Sequence, residues 1–360
     1  MVIVEFGLIR KFLLFPFIHP FFCTFKSVFK QKFTSSINKN TNQTYLLIIN
    51  LVFTHLSLLF QIIPESISRF RQKRKNLELL NPIFEDSNLI FRNYSKFNSK
   101  SFFLILLSTI LYYSGYGIRS DDNFLILGRF NLLFWLSFWS FIILDFRIHS
   151  HQYIGIFFII IGTIFLICLN IFNGINDLNL FDVILSFSSY AIFCAKFCIN
   201  KFLLEIYYIS PFFILLIEGI CGLIIDFLIT IFLIKIDYFK INEIKILINE
   251  LLLTQKNIIF LLLYILFEGM TQTCIMITIF YFNPTMVGVS DYLSVFIEGI
   301  IRKLNWTNYI GYLLIIFGIF IYNELIIFNF WNLEFHTKKY IIKRSSFDAY
   351  FSESLERKSI

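Results

Sequence analysis

Carboxylates stand inside long apolar runs of this sequence, where no water is available to solvate a charge. Glu218 and Glu268 lie near the middle of two such runs, and each is followed directly by a glycine. A charge at the centre of a membrane helix costs about 2.5–3.5 kcal/mol, so it is retained where it faces a cavity or a partner. Gly219 and Gly222 beside Glu218 form a notch that lets another backbone or a ligand come close. A carboxylate in this position can bind a cation or a proton.

Other ionisable residues lie within or near the apolar runs and extend the candidate site. They are two bases and four acids: Arg129, Lys196, Asp226, Asp291, Glu298 and Glu324. Asp291 and Glu298 are seven residues apart, so they share one face of a helix. Glu324 stands near the end of its run, where lipid headgroups can solvate it.

The balance of charge within the apolar runs indicates the kind of ligand. Without Glu324 the interior set holds five acids and two bases. A pocket for a phosphorylated solute would be rich in Arg and Lys, so the acids favour a neutral, zwitterionic or cationic solute, or a proton. We predict a substrate- or proton-binding site made of these residues: Glu218, Glu268, Arg129, Lys196 and Asp291. An alternative stays open, in which acids pair with Lys196 or Arg129 to hold helices together, or these bases extend toward headgroups.

The composition places these charges in a membrane protein. The chain has 360 residues, of which 57% are hydrophobic and 15% charged, and its mean hydropathy is +0.73. Soluble domains carry about 25% charged residues. The 49 Phe, together with abundant Ile and Leu, exceed what one water-soluble core can bury.

Apolar runs long enough to cross a bilayer predict about ten helices. A crossing needs about 20 apolar residues, and nine runs qualify: 44–63, 101–118, 124–144, 152–172, 182–204, 208–234, 257–281, 284–303 and 306–328. A tenth candidate at 12–25 contains two prolines, and it can be a membrane helix, an interfacial helix or a signal-anchor segment. Three other prolines fall at helix ends, where a missing N–H is tolerated: Pro64, Pro211 and Pro284. The predicted fold class is an all-α integral membrane protein.

Basic residues predict the orientation of the chain in the membrane. The stretch 68–75, SRFRQKRK, is the densest basic block between the runs, and the tail after 331 is also basic. We therefore expect the 64–100 loop and the tail to face the cytoplasm. The net charge of +7 then reflects topology and anionic lipid headgroups rather than nucleic acid.

Two predicted helices have similar sequences. Residues 153–165 read YIGIFFIIIGTIF and residues 309–321 read YIGYLLIIFGIFI, with a constant offset of 156 residues. The offset aligns four glycines expected in helix packing, in two pairs: Gly155 with Gly311, and Gly162 with Gly318. The copies are the fifth and tenth helices, so each half holds five helices and the halves insert with opposite orientation, as in many secondary transporters. A chance likeness between two Ile-rich helices is the open alternative.

Three stretches resemble segments of a known family, and the first of them combines proline, glycine and acidic residues. KFLLEIYYISPFFILLIEGICGLII (201–225) has Lys-Phe, a proline, Glu-Gly and a further Gly three residues on. NWTNYIGYLLIIFGIFIYNE (305–324) and HSHQYIGIFFIIIGTIFLICLN (149–170) resemble a last and a fifth helix. Over roughly 101–328 the chain resembles the F-subfamily branch of solute carrier family 35, in the drug/metabolite transporter superfamily with its EamA-type fold. This resemblance implies ten helices in two inverted halves.

These observations predict a multi-pass secondary transporter of a small organic solute that works by alternating access. We expect a first half at 1–175, a second half at 176–330 and a cytoplasmic tail at 331–360. The expected partners are the lipid bilayer and a small-molecule solute, with a homodimer left open, no nucleic acid and no cofactor. The sequence does not distinguish an endomembrane (Golgi, lysosome or vacuole) from the plasma membrane.

Two other functional classes remain as alternatives. A membrane enzyme is disfavoured because the six Cys lack metal-ligand spacing and only His149 and His151, expected on a surface loop, lie close together. A non-transporting scaffold is the second alternative. It is favoured by the row LILGRF, which reverses the branch's Arg-Gly order, and by a first helix without the branch's small and polar residues.

Overall fold

The computed structural model of the chain describes residues 14–36, 43–78, 97–117, 132–144, 150–172, 180–207, 209–236, 238, 255–281, 284–301, 306–322 and 326. Within these ranges all regular structure is helical and there is no strand. The predicted all-α class is therefore confirmed for the part of the chain that the structure describes.

Eleven helices make up this part of the chain. The first six are α1 (Leu14–Ser36), α2 (Gln43–Leu59), α3 (Ile62–Glu78), α4 (Ser99–Gly117), α5 (Leu132–Leu144) and α6 (Ser150–Phe172). The other five are α7 (Leu180–Ile206), α8 (Pro211–Lys235), α9 (Gln255–Tyr281), α10 (Pro284–Ile301) and α11 (Trp306–Tyr322). Pro211 and Pro284 open their helices, where the missing N–H needs no partner.

The start of the chain differs from the expectation in two places. The candidate at 12–25 is part of a longer helix, α1, which contains Pro20 and runs on to Ser36. The stretch expected as the loop 64–100 begins instead as helix α3, and Pro64 lies in its first turn. An ion pair between Arg69 Nε and Glu65 Oε1 at 2.9 Å spans one helical turn there and contributes to the helix.

The helices have the length and surface of membrane segments. In the part of the chain that the structure describes, four helical stretches are long and apolar enough to cross a bilayer: Ile48–Phe70, Phe187–Ile206, Pro211–Lys235 and Asn257–Tyr281. Shorter apolar helical stretches accompany them: Leu132–Leu144, Ser150–Leu166 and Tyr309–Tyr322. Helix α8 leaves Phe227, Leu228 and Phe232 largely exposed, and such a face suits hydrocarbon rather than water. These are the properties of an integral membrane protein.

The helices pack in pairs that are distant in sequence. Helix α6 lies along α11, α1 lies against α9 and α10, α7 lies against α4 and α5, and α2 lies against α8. Further contacts join α2 to α9, α4 to α8, and α5 to α10. One apolar cluster fills the space around α7, and a second joins α5, α6, α10 and α11.

Helices α6 and α11 touch through the glycines of the two sequence copies. A Cβ at Gly155 would lie 2.6 Å from Tyr322 N and 2.7 Å from Gly318 O, and one at Gly318 would lie 2.7 Å from Gly155 O. A Cβ at Gly162 would lie 2.9 Å from Gly311 O, and one at Gly311 would overlap the side chain of Leu166. The two backbones are therefore in direct contact, which glycine alone permits.

Several predictions fall outside the described residues. They concern Arg129, His149, Glu324, the side chain of Glu298 and the tail 331–360.

Candidate functional site

A small polar cavity lies between α2, α4, α7, α8 and α9. It has room for roughly one water molecule. The helices contribute these side chains to its wall: Thr54, His55, Leu58, Thr109, Tyr112, Lys196, Glu218 and Gln272. All but Leu58 carry a polar or charged atom, although most of the surface that faces the cavity is apolar. With room for roughly one water, the cavity is too small for an organic solute in this conformation.

Glu218 and Lys196 form a buried ion pair at this cavity. Oε2 of Glu218 lies 3.0 Å from Lys196 Nζ, while Oε1 accepts hydrogen bonds from Ser108 Oγ at 2.7 Å and Asn200 Nδ2 at 2.9 Å. Both charged side chains are buried. A buried charge is tolerated when it is paired and hydrogen-bonded, and both conditions are met here.

Lys196 is fixed inside the protein. Its Nζ lies 4.5 Å from the centroid of the Tyr112 ring, in a cation–π arrangement. The alternative in which Lys196 extends to the lipid headgroups is therefore wrong. An ammonium and a carboxylate stand together at the cavity wall.

Glu268 lies behind the cavity wall rather than in it. Its Oε2 lies 2.8 Å from Lys26 Nζ of α1, and its Oε1 accepts a hydrogen bond of 2.8 Å from Gln272, which does line the cavity. Lys26 follows the apolar stretch of 12–25, so sequence reasoning took it as a flanking charge. The long helix α1 instead brings it against α9.

A second buried pair joins α2, α4 and α8. His55 Nδ1 lies 2.8 Å from Asp226 Oδ2, and the Tyr113 hydroxyl is hydrogen-bonded to Asp226 Oδ1. The same hydroxyl lies 2.6 Å from the Gly222 carbonyl oxygen and 3.2 Å from His55 Nδ1. The rings of His55 and Tyr113 stack with centroids 5.0 Å apart. Sequence reasoning missed His55, although a titratable residue inside the apolar run 44–63 was a usable signal.

The glycine notch beside Glu218 is filled by α2. A Cβ at Gly222 would overlap the His55 imidazole, and a Cβ at Gly219 would lie 2.8 Å from Leu58 Cβ and 3.1 Å from the His55 carbonyl oxygen. These two glycines therefore bring α2 against α8 and leave space for His55 beside Asp226.

The structure brings some of the predicted site residues together. Glu218 and Lys196 meet at the cavity, and Glu268 reaches it through Gln272. Asp291 is half-buried in α10 and is not part of the described cavity wall. The count of five interior acids against two bases is incomplete, because Lys26 and His55 also face buried carboxylates.

The histidines and cysteines considered for a metal or catalytic role lie apart from one another in the described residues. No group of three or more His, Cys, Asp or Glu there is arranged to hold a metal ion. The expectation that His151 lies on a surface loop is wrong, because α6 begins at Ser150 and buries it. Cys194 and Cys198 are free thiols packed in the core.

Comparison with known proteins gives no family assignment. No protein-family model matches the sequence, and no curated protein matches it. Function is therefore inferred from the residues and their geometry.

Proposed function

We propose that the protein is a multi-pass secondary transporter that moves a small organic solute across a membrane by alternating access. The observation that carries this proposal is that the most extensive helix contacts have counterparts when the two five-helix halves are exchanged, whereas smaller contacts within the second half, such as α9–α10 and α10–α11, have no comparable counterpart. The cavity between the halves, with a buried ammonium and carboxylate in its wall, supplies the binding chemistry.

The exchange can be followed helix by helix. The first half consists of α1, α2, α4, α5 and α6, and the second half of α7 to α11 in the same order. Exchanging the halves turns the packed pair α1–α9 into α7–α4, and α1–α10 into α7–α5, and all four pairs are in contact. The pairs α2–α8, α5–α10 and α6–α11 map onto themselves, and all three are in contact. This pattern supports ten spans in two inverted repeats, the architecture of many secondary transporters.

The glycine contacts of α6 and α11 support the same relation at the level of residues. In one contact, Gly162 lies against Gly311 and Ile315. Replacing each residue by its equivalent at the offset of 156 gives a second contact, of Gly318 with Gly155 and Ile159, and this contact also occurs. Reciprocal contacts of this kind are what a two-fold relation between the halves predicts.

The cavity wall favours a small zwitterionic or neutral polar solute. Lys196 offers an ammonium to a carboxylate of the solute, and Glu218 offers a carboxylate to an amine, so a zwitterion can replace their mutual contact with two new ones. The described wall contains one fixed positive charge, which is too few for a nucleotide sugar.

Transport would proceed by movement of the halves about this cavity. The cavity now admits roughly one water, so the conformation is closed on both sides. Binding of a solute requires α2, α4, α7, α8 and α9 to separate on one side at a time. A ligand that binds one conformation better shifts the balance toward it.

Membership of the drug/metabolite transporter superfamily, close to solute carrier family 35, is part of this proposal and rests on the sequence resemblance and the helix exchange. A multi-pass location in an endomembrane or the plasma membrane belongs to it as well.

A non-transporting scaffold is the second candidate. It is favoured by the pairing of Glu218, Glu268 and Asp226 with Lys196, Lys26 and His55, because fully satisfied charges can serve to join helices.

A solute-uptake panel separates these candidates. The full chain is reconstituted in proteoliposomes and offered labelled neutral, zwitterionic, cationic and phosphorylated solutes. We expect saturable uptake of a zwitterionic or neutral solute, and its loss in Glu218→Gln. Glu205→Gln is the matched control, since Glu205 is exposed and pairs with Lys201 away from the cavity. No uptake of any solute by protein that stays monodisperse would favour the scaffold.

A further inference from the structure

His55 is the described histidine that lies in the cavity wall, and it is paired there with a buried carboxylate. It forms part of the cavity wall, and its other face is held by Asp226 through the 2.8 Å contact from Nδ1. The side chain is 2% exposed. An imidazole changes charge nearer to neutral pH than any other ordinary side chain, so this is the group at the cavity best suited to gain and lose a proton.

The two carboxylates first considered for this role are less suitable. Glu218 and Glu268 each face a lysine ammonium, at 3.0 Å and 2.8 Å. Adding a proton to either carboxylate would leave its lysine ammonium, buried for Lys196 and partly buried for Lys26, without its counter-charge, which is unfavourable. Their pairing therefore opposes a change of protonation.

The pair of His55 and Asp226 tolerates both protonation states. With His55 neutral, its Nδ1–H and the Tyr113 hydroxyl are both positioned to donate to the Asp226 carboxylate. With His55 protonated, the same contact becomes a buried ion pair of opposite charges. Neither state leaves a buried charge without a hydrogen-bonding partner.

The titratable and charged groups around His55 come from three other helices. Helix α8 contributes Asp226 and Glu218, α4 contributes Tyr112 and Tyr113, and α7 contributes Lys196. Glu218, Tyr112 and Lys196 line the cavity together with His55, and Tyr113 is hydrogen-bonded to Asp226. Tyr112 meets the His55 ring edge-on, with centroids 5.8 Å apart. Helix α9 contributes neutral Gln272, with Glu268 behind it paired to Lys26. A proton on His55 therefore changes the charge next to the Glu218–Lys196 pair.

We infer that His55, held by Asp226 and Tyr113, takes up and releases a proton at the central cavity and couples solute movement to a proton gradient. This inference rests on the proposed transport function for its coupling step. The proton enters from water in the opened cavity and binds Nε2, while the Nδ1–H bond to Asp226 is kept. Release to the opposite side breaks only that Nε2–H bond and restores the neutral imidazole.

Proton uptake by His55 can be measured without knowing the solute. The full chain, with its five histidines labelled by ¹⁵N in the ring, is reconstituted in liposomes and followed by solid-state NMR, and His55→Gln assigns the signal. We expect the His55 signal to convert reversibly between neutral and imidazolium forms across the pH range in which the reconstituted protein stays folded. In Asp226→Asn the conversion should be lost from this range, and in Glu205→Gln it should be unchanged. A wild-type signal that stays in one form throughout would overturn the inference.

Coupling is tested with a solute that the uptake panel identifies. An inward acid gradient should accelerate uptake several-fold in the wild type, and uptake by His55→Gln should no longer respond to the gradient, whatever its rate at equal pH. Acceleration retained in His55→Gln would overturn the inference. If the wild type moves none of the panel solutes, the proposed function fails, and the NMR titration alone decides whether His55 is the proton-binding group.

Discussion

At the scale of single residues, the cavity is built from ion pairs whose members come from different helices. Glu218 of α8 meets Lys196 of the preceding helix, α7, and no sequence pattern within one helix could have suggested this contact. Burial makes each member dependent on the other. The pair therefore joins helices, and it also holds two opposite charges ready at the wall of a cavity.

A mutant cycle separates the structural and the binding role of this pair. Glu218→Gln should lower the free energy of unfolding by about 3–5 kcal/mol, because the buried Lys196 ammonium loses its counter-charge. Glu218→Gln with Lys196→Met should recover most of that loss, since no charge is left buried. Thermal unfolding in detergent, followed by intrinsic fluorescence, measures both effects.

The matched control for the cycle is Glu205→Gln, which removes an exposed carboxylate while the buried Lys201 ammonium keeps its hydrogen bond to the Phe280 carbonyl oxygen, so it should cost at most about 1 kcal/mol. We expect the double variant to be folded and unable to transport. A folded double variant with wild-type uptake would show that the pair serves packing alone.

The sequence could predict the site residues only where a charged side chain lies within an apolar run, because burying a charge in the membrane costs free energy. Glu218, Glu268 and Lys196 stood out because a charge within an apolar run needs a reason. Their partners did not stand out: Lys26 lies at the edge of a short apolar stretch, and His55 carries no fixed charge. Tertiary packing decides which helices are neighbours. The spacing of residues along one helix does not show which other helix will contact it.

At the scale of helices, glycines set the closest contacts. Gly155→Ala would place a Cβ 2.6–2.8 Å from backbone atoms of α11, so the two helices would have to move apart. We expect a loss of about 1–3 kcal/mol, as for an overpacked core, seen as a lower midpoint of thermal unfolding. Gly288→Ala is the matched control, because its nearest neighbours, from 3.0 Å, are side-chain atoms of Leu133 and Leu136 that can adjust. Equal effects of the two substitutions would contradict the close α6–α11 contact.

The role of α1 can be tested through the ion pair of Lys26 with Glu268 of α9. Lys26→Met removes the ammonium beside the buried Glu268 carboxylate, which keeps its hydrogen bond from Gln272, so we expect a clear fall in the unfolding midpoint and partial recovery with Glu268→Gln. Lys32→Met, which removes an exposed ammonium 5.7 Å from the centroid of the Phe260 ring, should have a smaller effect. An unchanged unfolding midpoint in Lys26→Met would indicate that α1 is an interfacial segment outside the helix bundle.

Helix positions followed from the sequence more closely than helix ends. The apolar runs 182–204, 208–234 and 257–281 agree within a few residues with α7, α8 and α9, because about 20 apolar residues leave few other solutions in a bilayer. The helix α3 was expected as a loop, because basic residues were interpreted as a topology signal. Charge does not prevent a helix, and the pair of Glu65 and Arg69 favours one.

At the scale of the whole molecule, orientation follows from the basic residues at 68–75 and in the tail. We expect Asn93, in Asn-Tyr-Ser, to remain without a glycan, and Asn42, in Asn-Gln-Thr, to face the lumenal or external side where a glycan can be added. Both asparagines lie outside the described residues. Gel mobility before and after glycosidase treatment, with Asn42→Gln and Asn93→Gln as controls, reports the result. A glycan on Asn93 would reverse the whole assignment.

The central claim is that the polar cavity between the two halves opens to one side of the membrane and then to the other. In a variant without native cysteines, Thr109→Cys places a thiol in the cavity wall, and a variant that keeps only the fully buried Cys194 is the control. A membrane-impermeant thiol reagent, added to oriented vesicles from one side at a time, measures access. We predict that Cys at 109 is labelled from either side and Cys194 from neither, and labelling of position 109 from one side only, or from neither, would contradict alternating access.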